Sequence, residues 1–158
     1  MVAAGEDPFS GDPRISLSLL LPRDAQSVPV VRHLCEHMIA SLGASEDAIG
    51  SISVALTEAC SNVIRHARSG DDYRIDVELG GERCEISVCY RDEGFDPDGP
   101  AIAQADPESE SGRGLMLMRA LVDELNFTFD PGRTRVHMVK DLDFARTTDA
   151  QRLLQRRT

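Results

Sequence analysis

Apolar positions recur along the chain in two periods, and the switches between them mark the elements. Ile15 to Leu21 is a short apolar run stopped by Pro22, which predicts a strand. Ser27, with Pro29 in the turn behind it, caps a predicted helix that runs to about Leu42 and closes at Gly43. Its apolar stripe reads Val30, Val31, Leu34, Met38 and Leu42. A second helix is predicted from Ser45-Glu-Asp to about Ala67, with Gly70 just beyond it, and Ile52, Leu56, Ala59, Cys60 and Val63 form its apolar face. Tyr73–Leu79 and Cys84–Arg91 then read as strands joined by Gly80-Gly81, a hairpin signal.

From Asp92 to Gly112 the pattern dissolves into Gly, Pro, Asp, Glu and Ser. A stretch of about 20 such residues inside a domain marks a functional lid or a disordered segment. Helical spacing returns from Gly114 to Leu125, and strands at Asn126–Phe129 and Thr134–Lys140 flank the turn Asp130-Pro-Gly-Arg. Residues 1–13 read as a disordered lead-in, 14–141 as the folded domain with a lid at about 93–112, and 142–158 as a polar tail that trails off, at most as a frayed helix. Strand, helix, helix, two strands, lid, helix, two strands is an α+β order. It predicts a two-layer sandwich whose mixed, mostly antiparallel sheet is covered on one face by about three helices.

Composition narrows the partners. The chain has 158 residues, enough for one domain with a real core, and a formal net charge of −10. Such a balance repels phosphate backbones, so nucleic acid is not an expected ligand. No window approaches the roughly 18–20 apolar residues of a membrane span, and the N-terminus has no basic region followed by an apolar run. Cys35, Cys60, Cys84 and Cys89 show no C-x-x-C spacing, and three sit in apolar periodic segments, so they read as buried, reduced thiols in a cytoplasmic protein.

Four short patterns can carry chemistry. Glu58 and Asn62, four apart on the second helix, project from adjacent turns away from its apolar face, with Arg65 beside them and His66 at the edge. An Asn oxygen can ligate a hard cation, and a carboxylate one turn away can orient or deprotonate a nucleophile. Ser111-Gly-Arg-Gly-Leu sets Gly112 and Gly114 where a long loop enters a helix, with Arg113 between them. A helix N-terminus bounded by glycines lets a phosphate approach closely. Asp92-Glu-Gly94 leaves a strand end, where a carboxylate can accept from an exocyclic amine, and Thr134 opens the last strand with a hydroxyl able to reach a base or its water. Against these stands His33-Leu-Cys-Glu-His37, an H-x-x-E-H spacing like that of zinc peptidases. It lacks an evident third ligand, and two solvent-facing histidines on a cover helix explain it better.

Taken in order, Glu58-x-x-x-Asn62-x-x-x-His66-Ala67, Asp92-x-Gly94, Gly112-Arg113-Gly114-Leu115 and Thr134-x-Val136 resemble the GHKL (histidine-kinase-like) ATPases. Among these they look most like the small serine kinases that act as bacterial anti-sigma factors. The resemblance spans roughly residues 14–141 and implies a Bergerat-type ATP-binding fold. It implies that Asn62 ligates Mg2+ and that Glu58 is the general base toward a protein serine. Asp92, Gly94 and Thr134 would hold adenine, and Gly112, Arg113 and Gly114 the phosphates of ATP. The partners it implies are a sigma factor and a STAS-fold anti-sigma-factor antagonist, met by a homodimer. One departure stands out: where the family usually shows Asp-x-Gly-x-Gly, Asp92-Glu-Gly runs straight into Phe95-Asp-Pro. The alternative to a working kinase is therefore a nucleotide-binding but catalytically degenerate module that traps its partner.

Overall fold

The structure, a computed structural model, describes residue 11 and residues 13–66, 72–91, 110–144 and 147–155. Asp92, Gly94, the lead-in up to residue 10 and lid residues 93–109 lie outside the described residues.

Strand β1 (Arg14–Pro22) leads into helices α1 (Ser27–Ser41) and α2 (Glu46–His66). The hairpin β2 (Asp72–Gly80) and β3 (Arg83–Arg91) follows, then α3 (Glu110–Leu121), the hairpin β4 (Glu124–Asp130) and β5 (Arg133–Asp141), and a short α4 (Asp149–Gln155). The strands form one sheet in the order β1-β2-β3-β5-β4, and every neighbouring pair is antiparallel. The expected α+β sandwich is thus realised without a parallel pair. Two-residue turns close both hairpins; at the first, Gly81 holds φ +56°, a left-handed conformation that side chains disfavour.

Alternation along the strands puts Tyr73, Ile75, Val77 and Leu79 of β2, Ile86 and Val88 of β3, and Thr134, Val136 and Met138 of β5 on the helix-covered face. Against them α2 lays Ile52, Leu56, Ala59, Cys60 and Val63, all buried as the sequence pattern requires. Helix α2 is central, touching α1 on one flank and α3 on the other. Its start is capped by Ser45, whose Oγ accepts the N–H of Ala48 at 3.1 Å, with Glu46 and Asp47 suiting the positive end of the dipole.

Four expectations shift. In α1 the buried row is Ser27, Val31, Cys35, Ile39 and, just past the helix, Leu42, whereas Val30 and Leu34 are exposed. The stripe is rotated by one position because Cys35 fills an apolar site. Ser27 is not the N-cap: Gln26 occupies that position, and the Ser27 hydroxyl instead donates to Asp24 O at 2.6 Å and meets Tyr73 Oη. Helix α3 starts and ends four residues earlier than the spacing suggests, since Asp123 N–H already bonds Val139 O and commits the chain to the sheet. The tail also docks. Ser45 N–H bonds Asp143 O, Phe144 bridges to Ala44, and α4 buries Gln151 and Leu154.

Candidate functional site

The site forms on the flank of α2 that faces α3. The i, i+4 spacing carries Glu58 and Asn62 to the same side, and packing against α3 converts what would be a solvated stripe into a half-buried one. Glu58 reaches into the first turns of α3. A Cβ placed on Gly114 would stand 2.5 Å from Glu58 Oε2 and 3.5 Å from its Cδ. Real Cβ atoms do not come that close, so any larger residue at 114 would turn the end of the Glu58 side chain aside, and glycine lets the carboxylate lie against the helix. Gly112 is buried as well, and Arg113 between them is exposed. The Glu58 carboxylate thus lies one turn inside the start of α3, along a stretch where Gly112 and Gly114 leave the backbone open to close approach.

Asn62 carries the second telling feature. Its Oδ1 is buried and accepts no hydrogen bond from any described residue. An orphaned amide oxygen costs about 1–3 kcal/mol relative to a satisfied one, a penalty that a ligand can lift. A carboxamide oxygen with both lone pairs unspent, one turn from a carboxylate, is a fitting donor set for a hard, oxygen-loving cation such as magnesium.

Thr134 is buried at the start of β5. Its cross-strand neighbours are Tyr90 on β3 and Phe129 on β4, and Phe129 stacks on Phe127 with ring centroids 6.1 Å apart. Helix α2 also touches β5, and Thr134 lies on the helix-covered face of that strand. The structure therefore brings together Glu58 and Gly114, with Asn62 on the next turn. Asp92 and Gly94 lie outside the described residues. Arg65 is exposed and donates to Ser61 O at 3.4 Å, on its own helix. The aromatic neighbours Tyr90 and Phe129 were not singled out by spacing, yet the turn Asp130-Pro-Gly-Arg sets the register that pairs Phe129 with Thr134.

Beneath the site the core is thoroughly desolvated. Burial pushes the Cys60 thiol up to about 12, and the Tyr73 phenol that neighbours it is also raised by burial to about 12. Cys35, Cys60, Cys84 and Cys89 are all free, the first three buried. In the H-x-x-E-H segment, Glu36 turns to Ser53 Oγ and pairs with Arg32 at 3.8 Å, while the His37 ring nitrogen Nδ1 meets His33 O at 2.7 Å. Its carboxylate and one imidazole are thus engaged elsewhere rather than converging on a shared point.

Comparison with known proteins places these features in a lineage. Residues 21–140 match the model of the histidine kinase-like ATPase domain. The chain is 32% identical over 140 residues to the serine-protein kinase RsbW of Bacillus licheniformis, an alignment covering 81% of this chain and 86% of that protein. It is 29% identical over 138 residues to the enzyme of the same name from Bacillus subtilis, covering 80% and 86%. Among solved structures it is similar to the RsbU and RsbW domains of Rv1364c from Mycobacterium tuberculosis, with a TM-score of 0.65 at 21% identity over 85% of this chain and 34% of that one. Among the described residues, no helix is long and apolar enough to cross a membrane.

Proposed function

Because the chain belongs to the histidine kinase-like ATPase family, we propose that it is an ATP-dependent serine kinase that regulates transcription by holding a sigma factor and phosphorylating that factor's STAS-fold antagonist. The observation that carries this reading is the meeting of Glu58 with Gly114 one helical turn from an orphaned, buried Asn62 Oδ1.

In this reading ATP lies between α2 and the glycine turn of α3. Gly112 and Gly114 admit its phosphates to the start of the helix, the exposed Arg113 adds a cation, and Thr134, with Asp92 and Gly94, holds adenine. Asn62 Oδ1 is the atom we assign to magnesium, which when bound offsets phosphate charge. Glu58 aligns the serine hydroxyl of the antagonist and accepts its proton as the serine oxygen bonds the γ-phosphorus and the bridging bond to ADP breaks. The protein works in the cytoplasm as a homodimer.

The test is a pair of measurements on one variant. Glu58→Gln preserves side-chain volume, so ATP titrates as in the wild type, while phosphate transfer to the antagonist falls by about 10²–10⁴-fold, the usual contribution of a positioned base. Transfer at the wild-type rate would remove Glu58 from the chemistry. Wild-type protein that binds ATP but phosphorylates no antagonist would instead be the partner trap that the shortened Asp92-Glu-Gly-Phe segment suggests.

A further inference from the structure

The sheet has a second face, turned away from α1, α2 and α3, and arginines gather at one end of it. Arg91 of β3 is the direct cross-strand partner of Arg133 of β5. Two residues further along β5, Arg135 stands opposite Cys89, whose other neighbour is Arg74 of β2. Alternation puts all four on this face, since Tyr73, Ile75, Thr134 and Val136 between and beside them are buried on the other.

Like charges placed directly opposite destabilise a sheet, so the Arg91–Arg133 pair calls for a counter-charge. Among the described residues the one counter-charge in this group goes to a different arginine: Arg74 pairs with Asp76 at 3.0 Å. Arg135 donates to Ser87 Oγ at 2.9 Å, a neutral acceptor. Among the described residues no carboxylate lies within ion-pair distance of Arg91, Arg133 or Arg135, although Asp130 is the cross-strand neighbour of Arg133 on β4. Arg83, at the opposite end of the same face, shows the contrast, with Glu124 at 3.4 Å and Asp141 at 3.7 Å. Arg74, Arg91, Arg133 and Arg135 line a groove of about 600 Å³, against two carboxylates, Asp72 and the Arg74-paired Asp76, and Leu20 at its edge is 71% exposed. A smaller hollow of about 330 Å³ shares Arg91 and Arg133 and extends to the Asp130-Pro-Gly turn.

We propose that this groove is a docking site for an extended, acidic segment of a protein partner. Arg133 and Arg135 repeat at the two-residue period of a strand, the same period at which an extended peptide presents side chains on one face. Guanidinium groups take carboxylates in a fork-to-fork geometry, and Leu20 offers an apolar contact beside them. A polynucleotide fits less well. Its uniform charge would run beyond the patch onto a molecule of net charge −10, whereas a short acidic segment meets only the local field, which decays over about 8 Å at physiological salt. The site lies across the sheet from Glu58 and Asn62, and its test needs no nucleotide.

The probe is a fluorescein-labelled peptide of alternating aspartate and serine, followed by anisotropy against the full chain at low and high salt. Saturable, salt-sensitive binding is expected. It weakens about ten-fold or more in Arg133→Glu and in Arg135→Glu, as the loss of a charge-assisted hydrogen bond requires. Arg119→Glu, on the exposed side of α3, binds the peptide as the wild type does. Arg133→Gln, which removes charge without reversing it, gives the same loss in a variant relieved of like-charge repulsion, and circular dichroism verifies each fold. Absence of binding, equal loss in Arg119→Glu, or tighter binding of single-stranded DNA through the same arginines would overturn the assignment.

Discussion

At the scale of single residues, the decisive atoms are those whose chemistry is unspent. Asn62 is the clearest. Its buried Oδ1 has no hydrogen-bond partner among the described residues, so the free protein gains nothing from it there and carries a desolvation penalty. Asn62→Ala removes that penalty and substitutes a better helix former, which favours the variant by up to about 0.7 kcal/mol on propensity alone. The melting temperature of the nucleotide-free variant is therefore expected to equal or exceed that of the wild type, while the upward shift on adding ATP and magnesium disappears. Thermal melts with and without MgATP settle this, and a destabilised free variant would refute the orphan argument. Gly114 makes the complementary case. An added methyl meets Glu58 Oε2 at 2.5 Å, so Gly114→Ala must displace the carboxylate by roughly an ångström. Misplacement on that scale costs about 10²-fold in rate, and stopped-flow phosphotransfer assays should find it in the transfer step rather than only in affinity. Both residues were legible as a spacing in the sequence. What spacing alone leaves out is that α3 covers them, because contact between two helices is a property of the assembled layers.

At the scale of elements, the regular parts of the fold were legible and the boundaries were not. Alternating runs marked every strand, and the glycines at 81 and 132 marked both hairpins, since a two-residue turn needs left-handed backbone. The α1 stripe was misplaced because Val30 and Val31 are adjacent, both apolar, and only packing decides which one turns inward. Val31 is buried and Val30 is 51% exposed. The polar C-terminal segment reads as a trailing tail with at most a frayed helix, yet α4 buries Gln151 and Leu154. This element has its own test. Leu154 in α4 is 8% exposed and its neighbour Leu153 is 59% exposed. Leu154→Ala should destabilise the protein by about 2 kcal/mol, the low end of the range for a buried leucine, because the helix is short and terminal. Leu153→Ala should stay within about 0.5 kcal/mol. Urea denaturation of the two variants makes the comparison, and equal effects would mean that α4 does not dock through Leu154.

At the scale of the whole molecule, the core between helices and sheet is built partly from ionisable groups held neutral, and this fixes how stability responds to alkali. Cys35 comes from α1, Cys60 from α2 and Cys84 from β3, so all three main parts of the fold contribute one. Burial raises these thiols from 9.0 to about 11, about 12 and about 12, and it raises Tyr73 of β2 from 10.0 to about 12. In each case the unfolded chain ionises first. Below pH 9 both states keep their protons, and the stabilisation of the neutral groups is fully present. Between pH 9 and about 11–12 the unfolded chain has released protons that the folded one retains, so stability falls as pH rises, by about 1.4 kcal/mol per pH unit for each thiol ionised only when unfolded. Urea midpoints are therefore expected to hold steady from pH 7.5 to 8.5 and to decline with increasing steepness above 9. A Cys60→Ala, Cys84→Ala double variant should start from a lower midpoint, since it loses packing, but decline less steeply, since two of the linked protons are gone. A wild-type midpoint that is flat from pH 9 to 10.5, or a double variant that declines in parallel with it, would mean that the thiols are not the groups that couple this core to pH.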